Sequence, residues 1–388
     1  MIPGRRRPGS VAGMDTRPHH SPRPVLGQPA SERPPRLPSP TRHAPTRRRP
    51  WAPGAAAGYW ATVALAGLLL LATGTEVAVG AAEPAGFPAL VNHVPARVLL
   101  AAVTALAVVL AAAGTWMRRA LTLATTGRLT AARAGRAVVL ALAWGLPALA
   151  ALTLLDAELL ALVGYLPLLA VTAPFNAEMR ASLEAALTAG LLLELVVAVG
   201  LGLWAGAVLA YQRATAIPGR PAGWTTPAAA ARWGRVAAYV AATVPAVYAL
   251  TRFVWMVYPL GIDRELWEAG RSDLLAGVWL GAFGLVGAWL TIGLTRPWSR
   301  RFPRWIPGLG RRRVPVAAAV VPACAVALLV LPAGTSMLLS VLDKPAGELA
   351  KSWAAVGPTL LWPLWGVALA AAALGYALAR RGEPVKTR

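Results

Sequence analysis

Eight stretches of this chain run for nineteen residues or more with at most one charged side chain in each. A run of that length, wound as a helix at 1.5 Å per residue, crosses the roughly 30 Å hydrocarbon layer of a bilayer. The runs cover residues 57–75, 98–116, 137–155, 185–211, 236–260, 274–295, 314–342 and 356–379. They predict an all-α fold, a polytopic transmembrane helical bundle of about eight spans. A soluble domain is about 45–50% apolar and about 25% charged; this chain is 57% apolar and 14% charged.

The flanks are different. Residues 1–50 hold twelve prolines, eleven arginines and two acids, with few large apolar side chains. Such a segment cannot bury enough surface to offset its chain entropy, so residues 1–55 are expected to be a disordered Arg/Pro-rich tail. The transmembrane domain follows over 56–380, with a second short tail over 381–388. A cleaved signal peptide is not expected at the first run, because fifty residues precede it.

Charge orients the spans. The loop 117–136 carries five arginines, 212–235 four and 296–313 seven, all without an acid. The alternate loops hold twelve acidic residues against six basic ones. Lys and Arg in short loops mark the cytoplasmic side, so eight spans put every basic loop and both termini inside. The expected location is the cytoplasmic membrane of a bacterium. The net charge of +22 therefore points to anionic inner-leaflet headgroups as partners and not to nucleic acid.

One apolar segment, 159–173, is left over. It is fifteen residues long, contains Pro167, and follows Asp156 and Glu158. As a ninth span it would turn the basic loop 212–235 outward, so it is expected to be an interfacial or re-entrant piece of an outer loop.

A faint repeat runs through the spans. Arg136, Arg235 and Arg313 are followed by Leu146-Pro147-Ala148, Val244-Pro245-Ala246 and Val321-Pro322-Ala323. Three helical hairpins made by duplication, or chance in a proline-rich chain, both explain the spacing. Each mid-span proline also frees a carbonyl that a neighbour or a water must satisfy. Small-residue spacings, Gly202-x-x-x-Gly206 and Gly277-x-x-x-Gly281 with Gly284 and Gly287, point to close helix packing.

Glu194 and Arg252 are the charges within spans. Nine and eight residues from the outer ends of consecutive antiparallel runs, both lie at about 12–14 Å depth. An ionised group there costs at least about 2.5–3.5 kcal/mol, so the two are expected to pair. The pair serves either as a substrate, ion or proton site or as a brace between helices. No catalytic residues are expected. The chain has no His-Glu-x-x-His helix, no Gly-x-x-x-x-Gly-Lys loop, and no Gly-x-Ser-Gly beside an intramembrane histidine. Neither the four histidines nor Cys324 stands at metal-ligand spacing, so no metal or cofactor is expected.

The stretch Arg296-Pro297-Trp298-Ser299-Arg300-Arg301-Phe302-Pro303-Arg304-Trp305-Ile306-Pro307 and, before it, Tyr248-Ala249-Leu250-Thr251-Arg252-Phe253-Val254-Trp255 are distinctive. Over roughly residues 235–340 the chain resembles a group of uncharacterised multi-pass integral membrane proteins of actinobacteria. Those proteins carry a basic Phe-Pro-Arg-Trp loop ahead of a span. The resemblance implies a multi-pass fold, puts Arg252 and the basic loop within a shared pattern, and implies no activity. On physical grounds alone, Trp298, Phe302 and Trp305 alternating with Arg296, Arg300, Arg301 and Arg304 is the composition of a segment lying on anionic lipid.

Two functions fit these features. One is a permease-like or small-molecule-binding membrane protein; the alternative is a structural or accessory subunit of a membrane complex.

Overall fold

The structure, a computed structural model, describes residues 51–75, 94–125, 133–216, 223–270 and 274–381, save 303, 305, 309 and 343. The N-terminal tail, the acids Glu76, Glu83 and Asp273, and Trp305 lie outside the described residues.

Eight helices are long and apolar enough to cross a membrane, and no strand forms among the described residues. Six are single rods: α1 (Trp51–Thr73), α2 (Ala96–Thr125), α3 (Arg133–Leu154), α6 (Ala189–Ala214), α7 (Pro227–Val254) and α9 (Leu274–Gly293). The seventh is α10 (Val316–Leu342). The eighth is broken into α12 (Trp353–Leu360) and α13 (Trp362–Ala379). Pro363 explains the break: it falls in the first turn of α13, where its missing N–H would have had no partner in any case. Short helices α4 (Ala157–Thr172), α5 (Ala177–Ala186), α8 (Arg264–Ala269) and α11 (Ala346–Lys351) lie between the spans.

The helices sort into two groups. In the first, α6 packs against α1, α2 and α3, and α1 lies along α2. In the second, α7 lies between α9 and α13, and α13 packs on α10. Small residues set these contacts. Ala207, Ala230, Ala238, Ala241, Ala249, Ala333 and Ala373 are completely buried. Large apolar side chains such as Leu65, Leu69, Leu142, Leu149 and Val236 point outward, as lipid contact requires. The backbones of α7 and α13 approach closely. A Cβ on Gly375 would stand 2.6 Å from the Cα of Gly234 and 3.1 Å from the carbonyl oxygen of Ala230.

The expected glycine stripes separate. Gly277, Gly281 and Gly284 face α7, beside Arg252, Ala249 and Pro245. Gly202 and Gly206 meet nothing within 4 Å and face outward, while Gly200 on the same helix receives the rings of Trp60 and Tyr59. The proline triplets fall inside α3, α7 and α10. Pro147 and Pro245 are buried and Pro322 is exposed, so equal spacing does not give equal surroundings. One freed carbonyl has an identifiable partner: Pro147 has no N–H for Ala143, and Trp204 of α6 donates its Nε1–H to that oxygen at 2.8 Å.

The leftover apolar segment is α4. Its sixteen residues reach about 24 Å, short of a span. It does not lie loosely on the surface. Ala157 joins Ala333 and Met337 of α10 in a buried cluster, Gly164 abuts Leu280 of α9, and Trp279 donates to the Gly164 carbonyl at 3.3 Å. With α6 at its start, α4 ties the two helix groups together.

Candidate functional site

Glu194 and Arg252, expected to pair, belong to different helix groups. Neither takes part in an ion pair among the described residues. The reason is where the helices end and what they pack against. The apolar run 236–260 contains the helix only as far as Val254, so Arg252 occupies the last turn of α7 and not mid-span. The chain then folds back: Trp255 donates from its indole to the Leu260 carbonyl, and Trp267 donates to the Trp255 carbonyl, both at 2.8 Å. Meanwhile α6 begins at Ala189, which makes Glu194 its sixth residue, facing α3 and α4.

Glu194 has acidic company. Its Oε2 accepts the backbone N–H of Asp156 at 3.3 Å, at the break between α3 and α4. Asp156 caps α4 by accepting the N–H of Glu158 at 2.7 Å. Ligand oxygens of Asp156, Glu158 and Glu194 all lie within 4.8 Å of one another. Asp156 and Glu194 are more than nine-tenths buried. Burial pushes the Asp156 carboxyl above its ordinary value, against the pull of the Glu158 N–H, and burial and then the Asp156 charge do the same to Glu158. Three carboxylates this close repel one another when ionised, which favours a shared proton, and their oxygens are the ligand type a hard cation takes. Asp156 and Glu158 were readable only as outer-loop acids. Their adjacency to the embedded segment 159–173 was the signal that they go inward with it.

Arg252 is held differently. Its guanidinium carbon lies 4.4 Å from the ring centroid of Tyr248 and 4.2 Å from that of Trp255, residues four before and three after it on one helix face. Two such contacts, each worth about 0.5–2 kcal/mol, and the negative end of the α7 dipole stabilise the cation there. Its Nη1 is nevertheless buried with no hydrogen-bond partner among the described residues. The same side chain walls a cavity of about 790 Å³. Tyr165 of α4, Trp267, Leu274 and Gly277 contribute to the other walls. Ligand pockets of about 300–1,000 Å³ with mostly apolar walls and a few polar groups are the common form of small-molecule sites. The Tyr248 ring also packs at a tilt on Trp362, which is partly buried against Ala157, Ala333 and Met337.

The basic loop is folded. Arg301 and Arg313 form an antiparallel bridge, and Val314 N–H donates to the Arg300 carbonyl at 3.1 Å. Arg296, Arg300, Arg301 and Arg304 are exposed, and Phe302 is half-buried. Trp298 stacks on Trp289 of α9 with ring centroids 4.9 Å apart, so its ring is partly covered by protein.

Compared with known proteins, the chain matches no family model, no curated protein and no solved structure.

Proposed function

We propose that this integral membrane protein binds a small amphiphilic anion, a carboxylate or phosphate on an apolar or aromatic body, in the Arg252 cavity, and acts as a permease-like carrier or binding protein and not as an enzyme. The observation that carries the reading is a guanidinium clamped by two rings at the wall of a large, mostly apolar cavity, with its Nη1 unpartnered among the described residues. A buried cation without an acceptor is costly, and a bound anion supplies one. Tyr165, Trp255 and Trp267 offer flat surfaces for the rest of the ligand.

Thermal unfolding of the purified protein in neutral detergent tests this. A long-chain carboxylate at 100 times its Kd should stabilise the wild type by about 2.7 kcal/mol, and the matching alcohol much less. Arg252→Gln should abolish the difference. Equal stabilisation by acid and alcohol, or an unchanged response in Arg252→Gln, contradicts the assignment. A structural or accessory role remains the second reading, supported by the outward-facing Gly202 and Gly206 on α6.

The proposed setting is the cytoplasmic membrane of a bacterium, with both termini and the basic loops inside. The support is the arginine asymmetry of alternate loops. Reporter fusions after Gly127, Gly219 and Gly308 should then read cytoplasmic, and those after Gly86 and Gly270 external. An external reading after Gly219 would rule out the eight-span topology and make 159–173 a ninth span. In this setting the Arg252 cavity faces the outside, beneath the acid-bearing loops.

A further inference from the structure

One wall of the Arg252 cavity is held differently from the others. Three walls are helices fixed by packing: Gly281 of α9 lies against Ala249 of α7, and Gly164 of α4 abuts Leu280 of α9. The fourth is the segment 255–270 that follows α7, which supplies Trp255, Ile262, Trp267 and Gly270 to the lining. Beyond Trp255, the described side chains of this segment are all half-buried or exposed. Segments that bury little apolar surface open at a fraction of the global unfolding free energy, and lids are drawn from them.

Within the segment a stiff piece lies between two glycines. Asp263 Oδ1 accepts the Glu265 N–H at 3.0 Å, and the Asp263 carbonyl accepts the Trp267 N–H at 2.9 Å. These bonds make α8 and Trp267 one body. Gly261 before it has φ +58°, a conformation open to glycine, and Gly270 follows it. Two latches hold the body down. Ala354, at the start of α12, donates its N–H to the Gly261 carbonyl at 3.1 Å, and a Cβ on Gly261 would overlap the Trp353 indole. At the other latch the Trp267 indole donates to the Trp255 carbonyl at 2.8 Å. Trp255 also places its ring against the Arg252 guanidinium. The lid therefore closes onto a residue that positions the cation.

From this geometry we infer that Gly261–Gly270, carrying α8, is a lid that gates the Arg252 cavity, swinging on its two glycines and clasped shut by α12. The inference rests on the reading of that cavity as an anion site. A ligand with a bulky apolar body must displace some wall to enter. Parting α7 from α9 or α4 would break helix packing, whereas raising the lid breaks the two latches. Glycines at the ends of the moving piece absorb the change in φ and ψ.

The test uses the full chain in neutral detergent with a long-chain carboxylate as probe. Binding and displacement are followed by stopped flow, and backbone hydrogen exchange is mapped by mass spectrometry. Trp353→Ala removes the indole from Gly261. Trp353 is exposed and does not line the cavity, so the variant should fold with its ligand contacts intact. Trp224→Ala, at another exposed tryptophan just before α7, is the control. In Trp353→Ala the association and dissociation rates should rise together by about three- to tenfold, the effect of losing a latch of ordinary hydrogen-bond strength. Because bound and empty forms lose the same latch, Kd should stay within about twofold of wild type. Amides of 261–270 should exchange faster in the variant, and Trp224→Ala should match the wild type throughout. In the wild type itself, saturating acid should slow exchange across 261–270. Wild-type rates in Trp353→Ala, or no effect of the acid on exchange at 261–270, would overturn the lid and leave the anion site standing. A weaker Kd with an unchanged association rate would make Trp353 a ligand contact and also overturn the gate. No saturable binding by the wild type would defeat the anion site, and the gate with it.

Discussion

Gly375→Leu should abolish recovery of monodisperse folded protein, while Gly206→Leu should leave the yield at wild-type level or slightly above it. Both changes replace glycine by a good helix former within a span. On propensity alone each should stabilise by about 0.8–1 kcal/mol. The surroundings decide the sign. At position 375 the new Cβ meets backbone, the Gly234 Cα at 2.6 Å and the Ala230 oxygen at 3.1 Å, and backbone cannot turn aside as a side chain can. The only relief is to separate α7 from α13, and that separation undoes the contact at the centre of the second helix group. Overpacking a side chain into a yielding core costs about 1–3 kcal/mol, and this site yields less. At position 206 nothing lies within 4 Å. Size-exclusion profiles of detergent extracts read both outcomes. A normal profile for Gly375→Leu would mean that α7 and α13 do not meet at these glycines.

The acidic cluster should make stability fall as pH rises. Asp156 and Glu158 have folded values raised above their ordinary ones. The folded state therefore binds more protons than the unfolded chain between the two values, and the slope of unfolding free energy against pH is negative there. The stabilisation is complete below about pH 4, where unfolded carboxyls are protonated, and is lost as pH climbs through the folded values. Each proton released costs up to about 1.4 kcal/mol per pH unit across that window for Asp156, and less for half-exposed Glu158, whose charge is screened by solvent. Melting temperatures measured from pH 4 to 9 should decline, and Glu194→Gln or Asp156→Asn should flatten the decline by removing one of the mutually repelling charges. The two substitutions should be non-additive, since they relieve the same repulsion. Glu194→Gln and Arg252→Leu should add independently, because these residues lie in different helix groups. Coupling between 194 and 252, or a flat pH profile in the wild type, would contradict the cluster.

The spans were legible because hydropathy over some twenty residues is a property of the run itself. All eight apolar runs became helices, and the segment 159–173 did fall short of a span. Helix ends were less legible. Residues 255–260 are as apolar as the helix before them, yet Pro259 disfavours helix at Tyr258, and the chain turns back on the indoles of Trp255 and Trp267. Reading that proline would have moved Arg252 to the membrane boundary. Partner choice was not legible at all. Glu194 and Arg252 are on consecutive spans, and consecutive spans were taken as neighbours. Which helices touch depends instead on small shapes, such as Gly234 against Gly375 or Gly164 against Leu280, that look alike in a list of apolar residues. Embedding of α4 followed the same rule, and it carried Asp156 and Glu158 inward with it.

The ligand reading is tested most directly by photolabelling with a long-chain carboxylate that bears a diazirine near its acid end, followed by mass-spectrometric mapping of the adducts. The wild type should be labelled at Tyr165, Trp255 or Trp267, saturably and in competition with unlabelled acid, and the label should disappear from those residues in Arg252→Gln. Label spread over lipid-facing positions such as Leu142 and Leu149 with no enrichment at the cavity, or cavity labelling unchanged in Arg252→Gln, would contradict an anion site at Arg252.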